Sequence, residues 1–182
     1  MENGKVMFKR WGNIVAGLAA VIGVRYLDKK LLVQRNEQLY KLNVQRDILD
    51  HMLTLKQNQL NMDVYLKKMG YRRVGIYGLT MLGSHVYEEL HESDYIIRLV
   101  GIDRREICDN YDMNIYKPEE NFNPLDLIIV TVLNGYEGIA SKLGETFSGK
   151  IMSIQQIINE CETIYFDGTV YNEKETRNPC DL

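Results

Sequence analysis

The sequence predicts an α/β fold in which a parallel sheet carries helices on both faces, preceded by a long helical N-terminal region and followed by a short C-terminal β-hairpin. Short β-prone runs alternate with helix-like segments over residues 70–162, which is the spacing of βαβ units. One run, LDLIIVTVL at residues 125–133, is apolar almost throughout, as expected of a strand buried on both faces of a parallel sheet. Right-handed crossovers between such strands place helices on both faces.

The first segment, residues 1–26, contains the uncharged apolar run WGNIVAGLAAVIGV at residues 11–24, with basic residues on both sides. As a helix this run would be about 21 Å long, which is short of the roughly 30 Å hydrocarbon core of a bilayer. The flanking cations suit anionic headgroups, so the run is a candidate for a helix at the cytoplasmic membrane surface. The alternatives are insertion as a short anchor, a Gly/Ala-rich helix that packs on a partner or is loosely ordered, and a cleaved signal peptide. No A-x-A-like cleavage site follows the run.

Residues 27–69 form the second segment and are predicted to be helical. They contain no proline and no glycine, and their leucines recur at helix-like intervals. The polar stretch at residues 56–63 predicts a break, after which Asp63 would be the N-cap of a short helix that ends at Gly70. The leucine face is expected to pack on its own domain or on a second copy of the chain, so a homodimer or a docking partner would use residues 27–69.

The last segment, residues 163–182, contains a predicted hairpin at TIYFDGTVYN, residues 163–172. Asp167 and Gly168 stand between two β-prone runs, and the Asp-Gly pair favours a two-residue hairpin turn. Beyond Asn172 the chain is polar and is expected to fray.

The third segment, residues 70–162, opens with RRVGIYGLTMLGSHVYEEL at residues 72–90, which predicts a strand, a glycine turn and a helix. In dinucleotide-binding folds the first glycine of G-x-G-x-x-G makes the turn, the second admits the pyrophosphate, and the third lets the helix pack on the strand. Gly78 and Gly83 hold the first and third places, and Thr80 holds the second. The branched threonine hinders a phosphate, but its hydroxyl and the helix N-terminus favour one.

A carboxylate follows the second predicted strand at the spacing that a dinucleotide site requires. Asp103 closes YIIRLVGID and lies 20 residues after Gly83, where it would accept hydrogen bonds from an adenosine ribose. Its charge would repel a 2′-phosphate, so NAD is favoured over NADP, although the adjacent Arg104 and Arg105 weaken that preference. The glycine turn and this acid, inside a β-α-β pattern, together predict a Rossmann-like, nucleotide-binding fold.

Thr131 and Asn134 lie near the carboxyl end of the fourth predicted strand, where ligands bind in open α/β sheets. An ordinary buried β-former is the alternative for Thr131. The candidate cofactor-binding residues are Gly78, Thr80, Met81, Leu82, Gly83, Asp103, Arg104 and Thr131.

Composition and charge exclude several other function classes. The net charge is −3, so there is no basic field to attract nucleic acid. The three cysteines fit no zinc or redox spacing and are expected to be reduced thiols of a cytoplasmic protein. The three histidines show no ligand spacing with cysteine or acid, so no metal site is predicted. His85 follows the glycine turn as a candidate acid or base, with an exposed helix histidine as the alternative, so catalytic residues stay unassigned.

Four stretches of the chain carry a resemblance to known proteins, and they are KKMGYRRVGIYGLTMLGSHVYEEL, VGIDRR, LDLIIVTVL and IMSIQQIINE. Together they resemble a family of small bacterial Rossmann-like domains that occur among surface-polysaccharide biosynthesis proteins. The resemblance spans roughly residues 40–160. This family is labelled NAD(P)-binding or sugar-nucleotide-epimerase-like. The positions that the resemblance implies to face a nucleotide are Gly78, Thr80, Gly83, Asp103 and Thr131.

The glycine turn and Asp103 favour a binding module for NAD or a nucleotide-sugar, and the resemblance implies a role accessory to surface polysaccharide biosynthesis. One alternative is an oxidoreductase or epimerase acting on a sugar nucleotide, with groups supplied by Thr131, His85 or a partner chain. Another is a structural or interaction protein in which the glycine loop keeps only its shape. That role predicts that the side chains of Met81 and Leu82 fill the position of the pyrophosphate.

Overall fold

The structure, a computed structural model, describes residues 3–107, 111–122 and 124–166, and it describes side chains at residues 25–107, 111–122 and 124–164. The elements in chain order are α1 (Asn3–Gln57), α2 (Met62–Met69), β1 (Arg73–Tyr77), α3 (Met81–Leu90), β2 (Arg98–Ile102), β3 (Asn114–Tyr116), β4 (Leu127–Val130), α4 (Tyr136–Gly144), β5 (Lys150–Ser153) and α5 (Ile154–Phe166). The chain divides into two compact units, one that ends at Val44 and one that begins at Gln45. The predicted alternation of strands and helices is confirmed.

The second unit is built on a five-stranded sheet with the strand order β3-β2-β1-β4-β5. Every neighbouring pair is parallel, so the predicted parallel sheet is confirmed. The chain adds strands on one side from β1 to β3 and then on the other side with β4 and β5, so the direction reverses between β1 and β4. This order is consistent with a Rossmann-like fold, in which a ligand crevice forms at the reversal, outside the carboxyl ends of the strands.

The sheet is buried on both faces, as the apolar run of β4 predicts. The residues Leu127–Val130 are all buried, and alternate side chains of a strand point to opposite faces. On one face, Ile128 and Val130 pack in a cluster with Leu143 of α4. The alternate residues of β4 point to the other face, where α5 contacts β4 and α3 contacts β1.

The break in the predicted helical region lies where the sequence places it. α1 ends at Gln57, and α2 spans Met62–Met69. Gly70 follows α2 in a left-handed conformation with φ of 79°, and its amide donates to the Lys67 carbonyl. Glycine adopts this conformation at little cost, so the prediction that the helix ends at Gly70 is confirmed.

The start of α2 is capped by a side chain from another helix. Its N-cap residue is Asn61, whose side chain bonds to none of the amides of this fully described helix, so the prediction of Asp63 as the N-cap is wrong. The Met62 amide instead donates to the carboxylate of Glu89 in α3. Burial raises the pKa of Glu89, and the hydrogen bond from Met62 opposes this rise. A local sequence rule misses this cap because Glu89 lies 27 residues further along the chain.

The apolar residues of α1 have different environments in the two units. In the second unit, Ile48 and Leu55 are buried. In the first unit, the exposed leucines are Leu27, Leu31, Leu32, Leu39 and Leu42. Pairing of these leucines with a second copy or a docking partner stays a prediction.

The two ends of the chain are described only in part. Residues 163–166, the first strand of the predicted hairpin, instead continue α5, because Ile157, Cys161 and Ile164 repeat at helical spacing and are all buried. The rest of the predicted hairpin lies outside the described residues. Over the described part of the chain, no helix combines the length and apolar character that a bilayer span requires. Binding of residues 11–24 to a membrane surface stays a prediction.

Candidate functional site

A cleft opens at the carboxyl ends of β1, β2 and β4, where the strand order reverses. Its volume is about 280 Å³, close to the lower end for small-molecule sites. The residues that line it are Tyr77, Gly78, Thr80, Asp103, Arg104, Arg105, Val132 and Ile139. Gly78, Thr80, Asp103 and Arg104, which the sequence predicts to bind a cofactor, therefore lie together in this cleft.

Gly78 makes the turn that opens the cleft. Its φ is 93°, in the left-handed region, and a β-carbon at this position would lie 2.5 Å from Val132 Cγ2. The Gly78 amide donates to the Ile102 carbonyl at 2.9 Å, which ties the turn to β2. A side chain here would be strained and would also clash, so the turn requires glycine.

Gly83 and Thr131 both contact the turn that Gly78 makes. A β-carbon at Gly83 would lie 2.3 Å from the Gly78 carbonyl oxygen, so α3 packs against the turn as the third glycine of the motif predicts. The Thr131 hydroxyl donates to the same carbonyl, and Thr131 is only 1% exposed. Both residues lie outside the set of described residues that line the cleft. They fix the shape of the loop, and a direct contact of either with a ligand stays a prediction.

The three residues after Leu79 have three different environments. Thr80 is the N-cap of α3 and is exposed, and its hydroxyl bonds to none of the amides of that helix, which the structure describes throughout. Met81 is exposed, whereas Leu82 is buried in the core. Neither Met81 nor Leu82 is among the described residues that line the cleft. A purely structural role for the loop, for which these two side chains would fill the position of the pyrophosphate, stays an alternative without this support.

Asp103 is buried, and both of its carboxylate oxygens are hydrogen-bonded. Its side chain is 6% exposed. Oδ2 accepts from the Leu79 amide at 2.8 Å and from Arg105 Nη2 at 3.0 Å. Oδ1 accepts from the Arg105 amide at 2.8 Å and from Arg105 Nε at 3.2 Å. Burial favours the neutral acid, but the hydrogen bonds from Arg105 and Leu79 outweigh it and lower the pKa of Asp103, so the carboxyl is ionised at neutral pH.

Positive charge lies beside Asp103. The Arg105 side chain is 58% exposed, and its Nη2 also donates to the Leu79 carbonyl at 3.1 Å. Arg104 also lines the cleft. Lys117 Nζ donates to the carbonyls of Arg104 and Arg105 at 3.2 and 3.0 Å, which holds this loop in place. An anionic group in the cleft would therefore lie near two arginines, of which Arg105 is paired with Asp103, and near the N-terminus of α3.

Sequence reasoning missed the apolar residues of the cleft, Tyr77, Val132 and Ile139. The first two had a signal, because Tyr77 ends β1 and Val132 follows β4, and ligands bind at those ends of the strands. Ile139 lies on α4, and its place depends on how that helix packs. Sequence reasoning also missed the two hydrogen bonds that the Arg105 guanidinium donates to the Asp103 carboxylate. They depend on the path of a loop rather than on residue spacing.

His85, the candidate acid or base, lies outside the cleft as the described residues define it. Its Nδ1 lies 3.2 Å from Glu88 Oε2 on the same helix, and the side chain is partly exposed. Asn134 is exposed and also lies outside that set. Over the described residues, no three His, Cys, Asp or Glu side chains are grouped closely enough to hold a metal ion.

No protein-family model, no curated protein and no solved structure matches this chain. The resemblance to polysaccharide-associated Rossmann-like domains stays an expectation from the sequence.

Proposed function

We propose that this protein binds a nucleotide, either NAD or a nucleotide-sugar, in the cleft at the carboxyl ends of β1, β2 and β4. The observation that carries the proposal is the position of the glycine turn. Gly78 brings the N-terminus of α3 to the reversal in strand order, beside the ionised Asp103. Open α/β sheets bind ligands at this place, and helix N-termini bind phosphates.

The phosphate groups of the ligand would bind between the N-terminus of α3 and the arginines. The β-carbon of Thr80 limits how closely a phosphate approaches the backbone, which the second glycine of the motif would allow. The exposed Thr80 hydroxyl offers a donor in its place. Arg104 and Arg105, which also line the cleft, supply positive charge for a phosphate. These groups suit a phosphate held mainly by side chains at the rim of the cleft.

The rest of the ligand would meet apolar walls and Asp103. Tyr77, Val132 and Ile139 offer surface for a base or a nicotinamide ring. An ionised Asp103 disfavours a 2′-phosphate and so favours NAD over NADP. A nucleotide-sugar is the other ligand class because of the resemblance to surface-polysaccharide biosynthesis proteins, in which this domain would be an accessory module.

An oxidoreductase or epimerase activity has less support than binding. His85 pairs with Glu88 away from the cleft, and Thr131 is buried beneath the turn. Chemistry on a bound sugar nucleotide would therefore need groups from a partner chain or a rearrangement of the loop.

Ligand-induced stabilisation tests the binding proposal. The purified chain would be heated alone and with NAD, NADP, UDP-sugars and CDP-sugars, while unfolding is followed by intrinsic fluorescence. A ligand at about 100 times its Kd raises the free energy of unfolding by about 2.7 kcal/mol, so the true ligand class is expected to raise Tm by several degrees. An unchanged Tm with every one of these nucleotides would overturn the proposal.

Association through α1 is a second candidate function, and the exposed leucines of the first unit favour it. Leu39 and Leu42 are 52% and 61% exposed, and leucines on neighbouring turns of the same helix are exposed as well. Apolar residues spaced along a helix in this way commonly pack against another helix. A second copy of the chain would supply an identical set.

A further inference from the structure

The Arg105 side chain occupies the acceptor positions of Asp103 that a ribose would need. The carboxylate receives four hydrogen bonds, and two of them come from backbone amides, those of Leu79 and Arg105. The other two come from the Arg105 guanidinium, with Nε on Oδ1 and Nη2 on Oδ2. A carboxylate offers about four acceptor sites, so Asp103 has no site left for a sugar hydroxyl while the guanidinium is in place.

Removing the guanidinium would free one acceptor on each oxygen of Asp103. The two hydroxyls of a ribose diol need this arrangement, because each donates one hydrogen bond to the carboxylate. The amides of Leu79 and Arg105 would remain bonded to Asp103, so the carboxylate would keep its orientation. The sugar subsite is therefore present in the structure but filled by the protein itself.

The Arg105 guanidinium borders solvent. Its side chain is 58% exposed, whereas that of Asp103 is 6% exposed, so the guanidinium can turn outward without opening the core. Among its contacts, that movement would break the ion pair with Asp103 and the 3.1 Å hydrogen bond to the Leu79 carbonyl. Because Asp103 is buried, the movement is unfavourable unless a ligand supplies new partners, a hydroxyl for the carboxylate and a phosphate for the guanidinium.

We propose that Arg105 determines ligand specificity by excluding neutral sugars and nucleosides from Asp103 and admitting a ligand whose phosphate draws the guanidinium away. This inference rests on the nucleotide binding proposed above and names the chemical class that the site selects. A nucleoside has to displace Arg105 without compensation. A nucleoside diphosphate displaces it and then binds it.

Arg105→Met tests the proposal, because methionine keeps an unbranched stem but removes the guanidinium. Arg104→Met is the matched variant, since it removes one positive charge from the same cleft. It leaves the hydrogen bonds from the Arg105 guanidinium to Asp103 in place. Titration calorimetry would compare adenosine with ADP and uridine with UDP on the wild type and both variants. Wild type is expected to bind the diphosphate more tightly than the nucleoside. Arg105→Met is expected to bind the nucleoside about fivefold more tightly than wild type, the factor that corresponds to the net contribution of about one hydrogen bond, and the diphosphate more weakly.

The Arg104→Met variant separates two effects of Arg105→Met, the loss of a positive charge from the cleft and the release of the Asp103 carboxylate. Arg104→Met is expected to weaken diphosphate binding without strengthening nucleoside binding. If both variants weaken diphosphate binding and neither strengthens nucleoside binding, Arg105 is only a source of charge and the inference fails, while nucleotide binding stands. If no nucleotide binds to wild type or to either variant, the proposed function fails with it.

Arg105→Lys is a second variant that tests the inference even if the methionine variant does not fold. Lysine keeps the charge but lacks the planar fork that bonds both oxygens of Asp103. It is expected to fold with a Tm close to that of wild type and to bind the nucleoside more tightly than wild type does. Nucleoside affinity equal to that of wild type in a folded Arg105→Lys protein would overturn the inference.

Discussion

The carbonyl oxygen of Gly78 stands 2.3 Å from the place that a β-carbon on Gly83 would occupy. Gly83→Ala is therefore expected to push α3 away from the turn or to strain the loop. Overpacking of this kind typically costs about 1–3 kcal/mol, which urea unfolding would measure as a lower midpoint at an unchanged m value.

Gly138→Ala is the matched control for that substitution. Gly138 lies within α4, and apart from its chain neighbours and the backbone of its own helix, no atom of the described residues lies within 4 Å of the β-carbon that it would gain. Alanine is favoured over glycine inside a helix, so this variant is expected to be about 0.5–1 kcal/mol more stable than wild type. A Gly83→Ala protein as stable as wild type would contradict the close packing of α3 on the turn.

Asp126 joins the start of β1 to the start of β4 and makes part of the stability dependent on pH. Its carboxylate accepts hydrogen bonds from the amides of Arg72 and Arg73 and from the Arg73 side chain. The Arg73 hydrogen bond is the main reason that the pKa of Asp126 falls from 3.8 to about 2, against the opposing effect of burial. Because the pKa is lower in the folded state, this stabilisation is present at neutral pH and is lost as pH falls from about 3.8 toward about 2.

Asp126→Asn is therefore expected to lower Tm at pH 7, and the difference from wild type is expected to shrink as pH falls below about 3.8. Thermal unfolding at pH 7, 5 and 3 measures this. Asp94→Asn removes an exposed carboxylate and is expected to leave Tm nearly unchanged at each pH. A constant deficit for Asp126→Asn across this range would show that charge on Asp126 is not what stabilises the junction.

Glu89 has the opposite pH dependence, because burial raises its pKa above the ordinary value. Its contribution to stability is largest at low pH and is lost as pH rises through the raised pKa, where a charge must stay partly buried. Glu89→Gln keeps an oxygen that accepts from the Met62 amide but carries no charge, so it is expected to match or exceed the stability of wild type at pH 7. Glu89→Ala also removes the cap and is expected to lose about 1–2 kcal/mol. Equal stability of these two variants in urea would argue against a capping role.

The alternation of strands and helices and the position of the glycine turn could be predicted from the sequence, because they depend on local patterns. Gly78 and Gly83 set the turn and the closeness of α3, and the uninterrupted apolar run of β4 requires burial on both faces. The carboxyl ends of parallel strands lie at one edge, so Thr80 and Asp103 meet in one cleft although they are distant in sequence. Residue spacing was sufficient for these positions.

The partners of individual side chains could not be predicted in the same way. The sequence left open whether Thr131 lines the crevice or is an ordinary buried strand residue, and it did not indicate the hydrogen bond from its hydroxyl to the Gly78 carbonyl. Arg105 folds back onto Asp103, and Glu89 caps a helix that begins 27 residues earlier. Each of these contacts depends on a side-chain rotamer or on the packing angle of a helix. The spacing of residue types along the sequence does not determine either one.

Exposed leucines in the first unit lead to a prediction about association. Each leucine that is fully buried contributes about 1.5–3 kcal/mol, so two per copy would shift a dimer equilibrium strongly. Wild type is expected to show a mass near twice the 21.2 kDa of one chain by light scattering at micromolar concentration. The double variant Leu39→Ser with Leu42→Ser is expected to be a monomer, whereas Gln38→Ser with Lys41→Ser, which alters exposed polar neighbours, is expected to stay a dimer. A monomeric wild type would refute pairing through α1.

The position of the ligand can be tested at Thr80. This residue is exposed at the rim of the cleft and at the start of α3, so Thr80→Trp is expected to fill the space for a phosphate without disturbing the core. Glu88→Trp is the matched control, because it places the same ring on an exposed position of α3 outside the cleft. Both variants are expected to unfold within about 0.5 kcal/mol of wild type, as exposed substitutions usually do. Only Thr80→Trp is expected to abolish the rise in Tm that the nucleotide produces, and a full rise in that variant would place the ligand elsewhere on the protein.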